Sequence, residues 1–380
     1  MSAPEDRAGA DAVPRAPGAT RRAQLPVTII TGFLGSGKTT LLNRLVRQPD
    51  MQSTAVVINE FGEVGIDHLL VETSTEMMVE LNNGCICCTI RGDLADKLGS
   101  LAMWIDTGRI PRVDRVVVET TGLADPAPIL HTLMVEPDLL ARYRLGRLVT
   151  VVDAIGAANS LDRFAEAARQ IAVADLIVVS KTDLVERHSN RAAYAELRER
   201  VRALNPRART IEATMGEVDP ALLFGERPGD DAAALLAGDG AVRDCPGCAA
   251  GDAHDHAHDH DHTDAHGSGP GHDEAMREAG ISSFVVELDE PVDAGRFNAF
   301  VQSLAAEFGP RMLRMKGVFA VAGDDRPAVV HGVQHVFFPI TWLERWPAGP
   351  RRSRFVFITQ DLAREPVARR FDEAFGRGHA

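Results

Sequence analysis

Short continuous runs of aliphatic and β-branched residues recur through the first 224 positions, each followed by a more polar, helix-spaced stretch. Val27-Thr28-Ile29-Ile30-Thr31, Thr54-Ala55-Val56-Val57-Ile58-Asn59, and residues 116–118, 148–152 and 176–179 are all such runs. A parallel sheet buries its strands on both faces, which produces unbroken apolar runs rather than alternation. Between them, Leu94, Leu98, Leu101 and Ile105 follow helical spacing, and residues 161–172 and 191–204 read as two further helices. The pattern predicts a doubly wound α/β domain over residues 25–224, with ligands at the carboxyl ends of its strands.

The pattern then lapses. Gly, Asp and Ala dominate residues 225–251, and residues 252–262 alternate His with Asp and Ala. So few apolar side chains cannot form a core, and 225–280 is expected to be a disordered linker. Periodicity returns near Ile281. Residues 283–288 predict a strand, and Phe297, Phe300, Val301 and Leu304 place an apolar stripe on one helix face. Residues 312–321, 328–333 and 355–359 are further strand candidates, so 281–380 is expected to be a smaller α+β domain.

Composition narrows the class. The chain has 380 residues and a net charge of −13, which argues against nucleic acid as a partner. No apolar run is long enough to span a membrane. Residues 1–24 hold no apolar core of a secretory signal and are expected to be a disordered tail, which favours a cytoplasmic location. Five cysteines, an odd number with three inside four positions, do not make a disulfide framework and point to metal or redox chemistry.

The first apolar run leads into Gly32-Phe33-Leu34-Gly35-Ser36-Gly37-Lys38-Thr39 and then a helical pattern. This is a P-loop in its strand-to-helix context. Backbone N–H groups of such a loop point inward at phosphates, Lys38 reaches the outer phosphates, and Thr39 offers a hydroxyl to Mg2+. Gly32, Gly35, Ser36, Gly37, Lys38, Thr39 and Thr40 are therefore the expected phosphate contacts. Glu119 ends the apolar run 116–118, the Walker B arrangement, and Gly122 three residues on can bring its N–H close to a γ-phosphate. Lys38, Thr39 and Glu119 are the expected catalytic set. Ser180-Lys181-Thr182-Asp183 closes another strand: its aspartate can accept the N1–H and N2–H₂ pair of guanine, and the Lys181 stem can pack along the base. That favours GTP over ATP. No glutamine stands where a switch would orient the attacking water, which leaves Lys38, magnesium and backbone positioning.

Asn83-Gly84-Cys85-Ile86-Cys87-Cys88 offers three thiolates, ligands suited to zinc or copper(I), in what reads as a Gly-containing turn. Because adjacent residues of a regular strand point to opposite faces, Cys87 and Cys88 can meet on one ion only if that turn is irregular, which Gly84 permits. Cys85, Cys87 and Cys88 are the candidate metal ligands, with Glu63 or His68 as a fourth. They fall between the P-loop and Glu119, the interval that holds switch segments in P-loop GTPases, so bound metal would sense the nucleotide. Cys245, Cys248 and the His/Asp run form a looser set, whose neutral imidazoles suit zinc, nickel or cobalt, or else a solvated acidic linker without a metal role. His131, His188 and His379 stand alone, and His331 and His335 carry no assigned role.

Together these segments resemble the CobW family of metal-handling P-loop GTPases, related to those that mature nickel enzymes. The likeness rests on residues 31–42, Asn59-Glu60-Phe61-Gly62-Glu63-Val64-Gly65-Ile66-Asp67, the Cys-x-Cys-Cys motif, Glu119-Thr120-Thr121-Gly122-Leu123-Ala124-Asp125-Pro126, Ser180–Asp183 and Arg314-Met315-Lys316-Gly317. It implies a P-loop NTPase domain with a mostly parallel sheet, followed by a CobW-type C-terminal domain. It further implies slow GTP hydrolysis, zinc or cobalt at the cysteines, and delivery to a client metalloprotein, with a nucleotide- or metal-dependent homodimer as a further expectation. Rival expectations are a metal buffer working through the His-rich linker, a cobalt-handling factor for cobalamin biosynthesis, and an ATP-dependent kinase or adenylating enzyme on the same loop.

Overall fold

Strands and helices alternate from the start of the first domain: β1 (Leu25–Thr31), α1 (Lys38–Leu45), β2 (Thr54–Asn59), β3 (Met77–Glu80), β4 (Ile86–Thr89), α2 (Leu94–Asp106) and β5 (Arg115–Thr120). There follow α3 (Pro126–Val135), α4 (Pro137–Arg142), β6 (Tyr143–Asp153), α5 (Ala157–Arg163), α6 (Ala165–Ala172), β7 (Leu176–Ser180), α7 (Thr182–Arg187), α8 (Arg191–Leu204), β8 (Arg209–Ala213) and α9 (Pro220–Phe224). The computed structural model describes residues 24–59, 77–80, 86–89, 94–187, 190–225, 233, 235–236, 280–337, 340–347 and 351–376. Residues 1–23 of the tail, Cys85, Glu63, His68, His188, His379 and residues 245–272 lie outside them.

One eight-stranded sheet, in the order β3-β4-β2-β5-β1-β6-β7-β8, carries this domain. Its pairings are parallel except β3 with β4. The unbroken apolar runs follow from burial on both faces. Val116 and Val118 of β5 join Leu98, Leu130, Ile171 and Leu197 in one core, while Val117 between them joins Leu41, Leu45 and Leu223 in the other. The doubly wound architecture expected from the apolar runs is thus present.

Three local features differ from the sequence pattern. The helix expected over 161–172 is two helices, because Phe164 is extended at φ −136°, ψ 113° and its ring packs against Phe33 of the P-loop at 4.8 Å between centroids. The turn expected at the cysteines gives way at Ile86, where β4 pairs with β2 on one side (Val56 with Cys87, Val57 with Cys88) and β3 on the other. Cys87 and Cys88 therefore have regular strand backbone, held by ladders on both sides, and the irregular turn expected to bring them onto one ion is not present at these two positions. Strand β8 escaped the apolar pattern because it is an edge with only Ile211 and Ala213 buried.

The second domain comprises β9 (Ile281–Leu288), α10 (Ala294–Phe308), β10 (Met312–Val321), β11 (Asp324–Val333), β12 (Val336–Phe337), β13 (Thr341–Trp342), β14 (Ser353–Gln360) and α11 (Arg364–Phe375). Its antiparallel sheet runs β12-β11-β10-β14-β9, with β13 on β11. Phe297, Phe300 and Phe371 from the two helices pack on Phe319 and Phe355 of the strands. Leu235 and Leu236 fall inside the segment expected as a linker, yet are buried against Val318, Val329 and Val356 of this sheet. Two adjacent leucines are enough to seat that short stretch on an apolar sheet face.

The two domains share a core. Ile281, Leu313, Val333, Val336 and Ile358 cluster with Leu130, Ile171 and Val173. Beside this core lies Asp175, whose side chain is 5% exposed and pairs with Arg314 and Lys316 of β10. It also accepts the Leu148 backbone N–H at 2.8 Å, while Arg314 donates to the Val173 carbonyl. Burial alone would push the Asp175 carboxyl up. The charges of Arg314 and Lys316, with the hydrogen bonds from Lys316 and Leu148, overturn this and hold it well below the usual carboxylate range. Among the described residues no helix is long and apolar enough to cross a membrane.

Removing Arg314 leaves the buried Asp175 with Lys316 and takes away the donor to the Val173 carbonyl, so Arg314→Ala should cost about 3 kcal/mol in chemical denaturation, the low end for a broken buried pair. Because the folded-state pKa of Asp175 is depressed, its contribution is complete above the unfolded carboxyl value of about 3.9 and declines as pH falls below it. Stability measured against pH in Asp175→Asn should lack that part of the acid limb.

Candidate functional site

The sheet order brings three sequence-distant segments to one edge. β1 lies between β5 and β6, and β7 is next to β6, so the P-loop after β1, Glu119 in β5 and Lys181 after β7 all open on the carboxyl side of the sheet. Ile30 of β1 is in register with Glu119. One hydrogen bond ties the first and last of these segments directly: the Ser180 hydroxyl at the end of β7 donates to the Ser36 carbonyl of the P-loop at 2.6 Å.

The P-loop is drawn in on itself. Gly32, Gly35 and Gly37 all have positive φ, and the Ser36 N–H donates to the Phe33 carbonyl at 3.1 Å. Lys38, 8% exposed, donates through Nζ to the Gly32 carbonyl at 2.8 Å and the Phe33 carbonyl at 3.3 Å. Its cation is therefore held over the loop. The Thr39 hydroxyl donates to Glu119 Oε1 at 2.7 Å, across 80 positions of sequence. A hydroxyl and a carboxylate at that separation are hard oxygen donors, the chemistry that suits Mg2+. Thr40 is exposed at the start of α1.

Gly122 touches the loop from the other side. A Cβ there would lie 2.7 Å from the Leu34 nitrogen and 2.8 Å from its Cα, so only glycine permits the approach. The Gln170 side chain on α6, 1% exposed, donates to the carbonyls of Gly122 at 3.3 Å and Ala124 at 3.0 Å. Gln170 was not singled out by sequence, since a polar residue on a helix face signals nothing until its partners are known.

Lys181 and Asp183 occupy the far end. Lys181 sits at φ +60°, and its Nζ pairs with Asp153 Oδ2 at 2.6 Å. Asp183 Oδ1 accepts the Met215 N–H at 3.3 Å, from a turn in which Met215 and Gly216 both have positive φ. Asp153 and the Met215 turn are further residues missed by sequence. The apolar run into Asp153, ending as the run into Glu119 does, was the available signal.

The cysteine strand stands on the same sheet, with β4 next to β2 and β2 next to β5. The sheet thereby brings the segment carrying Cys87 and Cys88 within two strands of Glu119. Cys85 and the candidate fourth ligands Glu63 and His68 lie outside the described residues.

A glycine-lined loop entering a helix, a hydroxyl–carboxylate pair for a hard cation and an aspartate at the neighbouring strand end define a P-loop nucleoside-triphosphate-binding protein. The chain belongs to the CobW/HypB/UreG family: the model for that family's nucleotide-binding domain matches residues 26–212, and the model described as the cobalamin synthesis protein cobW C-terminal domain matches residues 281–375. It is 33% identical over 348 residues to the zinc chaperone YjiA of Escherichia coli K12, covering 91% of this chain and 98% of that one. It is 32% identical to the zinc chaperone CobW of a Sinorhizobium species over 366 residues, 88% of this chain and 92% of that one. The crystal structure of Zn(II)-bound YjiA GTPase from E. coli superposes with a TM-score of 0.65 at 31% identity, covering 93% of this chain and 99% of that chain.

Gly122→Ala should displace the P-loop backbone rather than a flexible side chain. Overpacking of this kind costs about 1–3 kcal/mol. Thermal denaturation should show a loss of stability of that size, and titration with a fluorescent guanine nucleotide should show weakened binding.

Proposed function

We propose that this protein is a GTP-hydrolysing metallochaperone that holds zinc through Cys85, Cys87 and Cys88 and passes it to a client metalloprotein. The observation that carries the proposal is the layout of one sheet edge. Lys38, Thr39 and Glu119 stand together there, and the strand with Cys87 and Cys88 is hydrogen-bonded to β2, next to the Glu119 strand. The descriptions of YjiA and CobW as zinc chaperones support zinc as the cargo rather than cobalt.

In this reading the P-loop N–H groups and Lys38 bind the β- and γ-phosphates. Thr39 and Glu119 hold Mg2+, which supplies charge neutralisation as the phosphoryl group leaves. Gly122 N–H reports the γ-phosphate. Asp183 accepts the N1–H and N2–H₂ of guanine, and Asp153 fixes Lys181 so that its stem lies along the base. Release of the γ-phosphate rearranges the segment between the P-loop and Glu119 and weakens the cysteine site. The second domain, fastened through Asp175, offers the client part of its docking surface.

Two measurements bear on separate halves of this proposal. Asp183→Ala should lower GTP affinity by about 10- to 100-fold, the loss of hydrogen bonds to a charged acceptor, and leave ATP affinity unchanged. A wild-type preference for ATP would overturn the base assignment. Zinc-loaded protein given GTP and a competing chelator should release metal faster than with a non-hydrolysable analogue, and Lys38→Ala should abolish the difference. Equal release with both nucleotides would overturn the coupling. Retention of almost all metal capacity by the linker segment alone would favour a buffer instead.

A further inference from the structure

Two histidines that the sequence left without a role meet across the domain boundary. His131 lies on α3 and His335 in the β11–β12 hairpin, with ring centroids 5.3 Å apart and planes at 49°. His131 is half-buried and His335 exposed, so the pair is open to solvent on one side.

Their positions are fixed by buried neighbours. Leu130, beside His131, is fully buried in the same core that takes in Val333 and Val336, which flank the hairpin turn. Val333 and Val336 pair with each other, which leaves Gln334 and His335 as the two turn residues, with Gln334 at φ +52°. Gly309 lies under the turn: a Cβ at that position would come within 2.7 Å of His335 Cβ. Gln334 Nε2 donates to Asp125 Oδ2 at 3.4 Å, and Asp125 is the N-cap of α3. The hairpin tip is thus tied to the helix that carries His131, and a carboxylate stands at the same seam.

We infer that His131 and His335 form an interdomain binding site for a borderline divalent cation such as zinc, cobalt or nickel, separate from the cysteine motif. Neutral imidazole nitrogen suits these ions, whereas Mg2+ requires hard oxygen ligands. Two imidazoles at a Zn–N distance of about 2.0–2.1 Å and a tetrahedral angle place their ring centroids roughly 5 Å apart, which the pair already meets. Because core packing fixes both backbones, little chain ordering is left for the metal to impose. Two protein ligands leave the remaining positions to water, so the site is an exchangeable one. Bound metal would clip α3, which follows the Gly122 loop, to the second domain.

The test is residue-resolved. Full-length protein is treated with diethylpyrocarbonate, with and without zinc, and labelling of each histidine is read by peptide mass spectrometry. Zinc should lower labelling of His131 and His335 together by several-fold, and magnesium should not. In His131→Gln, zinc should no longer protect His335, and in His335→Gln it should no longer protect His131, while protection of the linker histidines continues. Guanine-nucleotide binding by both variants checks that they are folded. Absence of protection at zinc concentrations that protect the linker, or protection of one histidine that survives loss of the other, would overturn the inference. Because the readout is taken at these two residues, it holds whether or not the cysteines carry zinc.

Discussion

A single buried carboxylate holds the two halves of this protein together. Asp175 stands at the start of β7, accepts a backbone N–H from β6 and binds both Arg314 and Lys316 of the second domain. With its side chain 5% exposed, the group cannot be neutralised by solvent. Arg314 and Lys316 hold it ionised against the effect of burial. The second domain therefore cannot leave this seam without stranding a charge, and the apolar residues around it, from Ile171 to Leu313 and Ile358, share the cost of separation.

The same seam lies one helix from the nucleotide site. Gln170 on α6 holds the Gly122 and Ala124 carbonyls, and the Thr150 hydroxyl donates to the Gln170 carbonyl at 2.7 Å. Arg169, its neighbour, donates to Gln360 of the second domain at 3.0 Å, and the Val173 carbonyl after α6 receives Arg314. A continuous run of contacts thus joins the loop after Glu119 to the second sheet. A second connection passes through α3, from Asp125 to Gln334 and from His131 to His335. Both connections start from the segment that follows Glu119.

Much of the nucleotide half was legible in the chain because its chemistry is local. A P-loop needs its glycines, lysine and threonine at fixed short spacing, and strands buried on both faces announce themselves as apolar runs. Glu119, Gly122 and Asp183 were read from short motifs at strand ends. The partners that give those residues their geometry were not legible. Asp153, Gln170 and the Met215 turn are separated from their partners by 28, 46 to 48 and 32 positions, and nothing local distinguishes them. The cysteine motif was visible as chemistry, but its strand backbone at Cys87 and Cys88 comes from ladders with β2 and β3, which a turn-forming glycine next to the motif does not reveal.

By itself, then, the sequence determined the α/β class, the phosphate loop, the acid at the end of β5, the soft-ligand motif and the existence of a second, Phe-rich domain. These follow from short-range periodicity and from residue types that have few other uses. Only the tertiary structure decided that Arg314 and Lys316, visible as a bare motif, close on Asp175. It alone decided that a leucine pair inside an apparent linker covers the second sheet, and that two unassigned histidines face each other. Each of these depends on where two distant segments meet, and hydrophobic packing and register settle that, not the local preference of either segment.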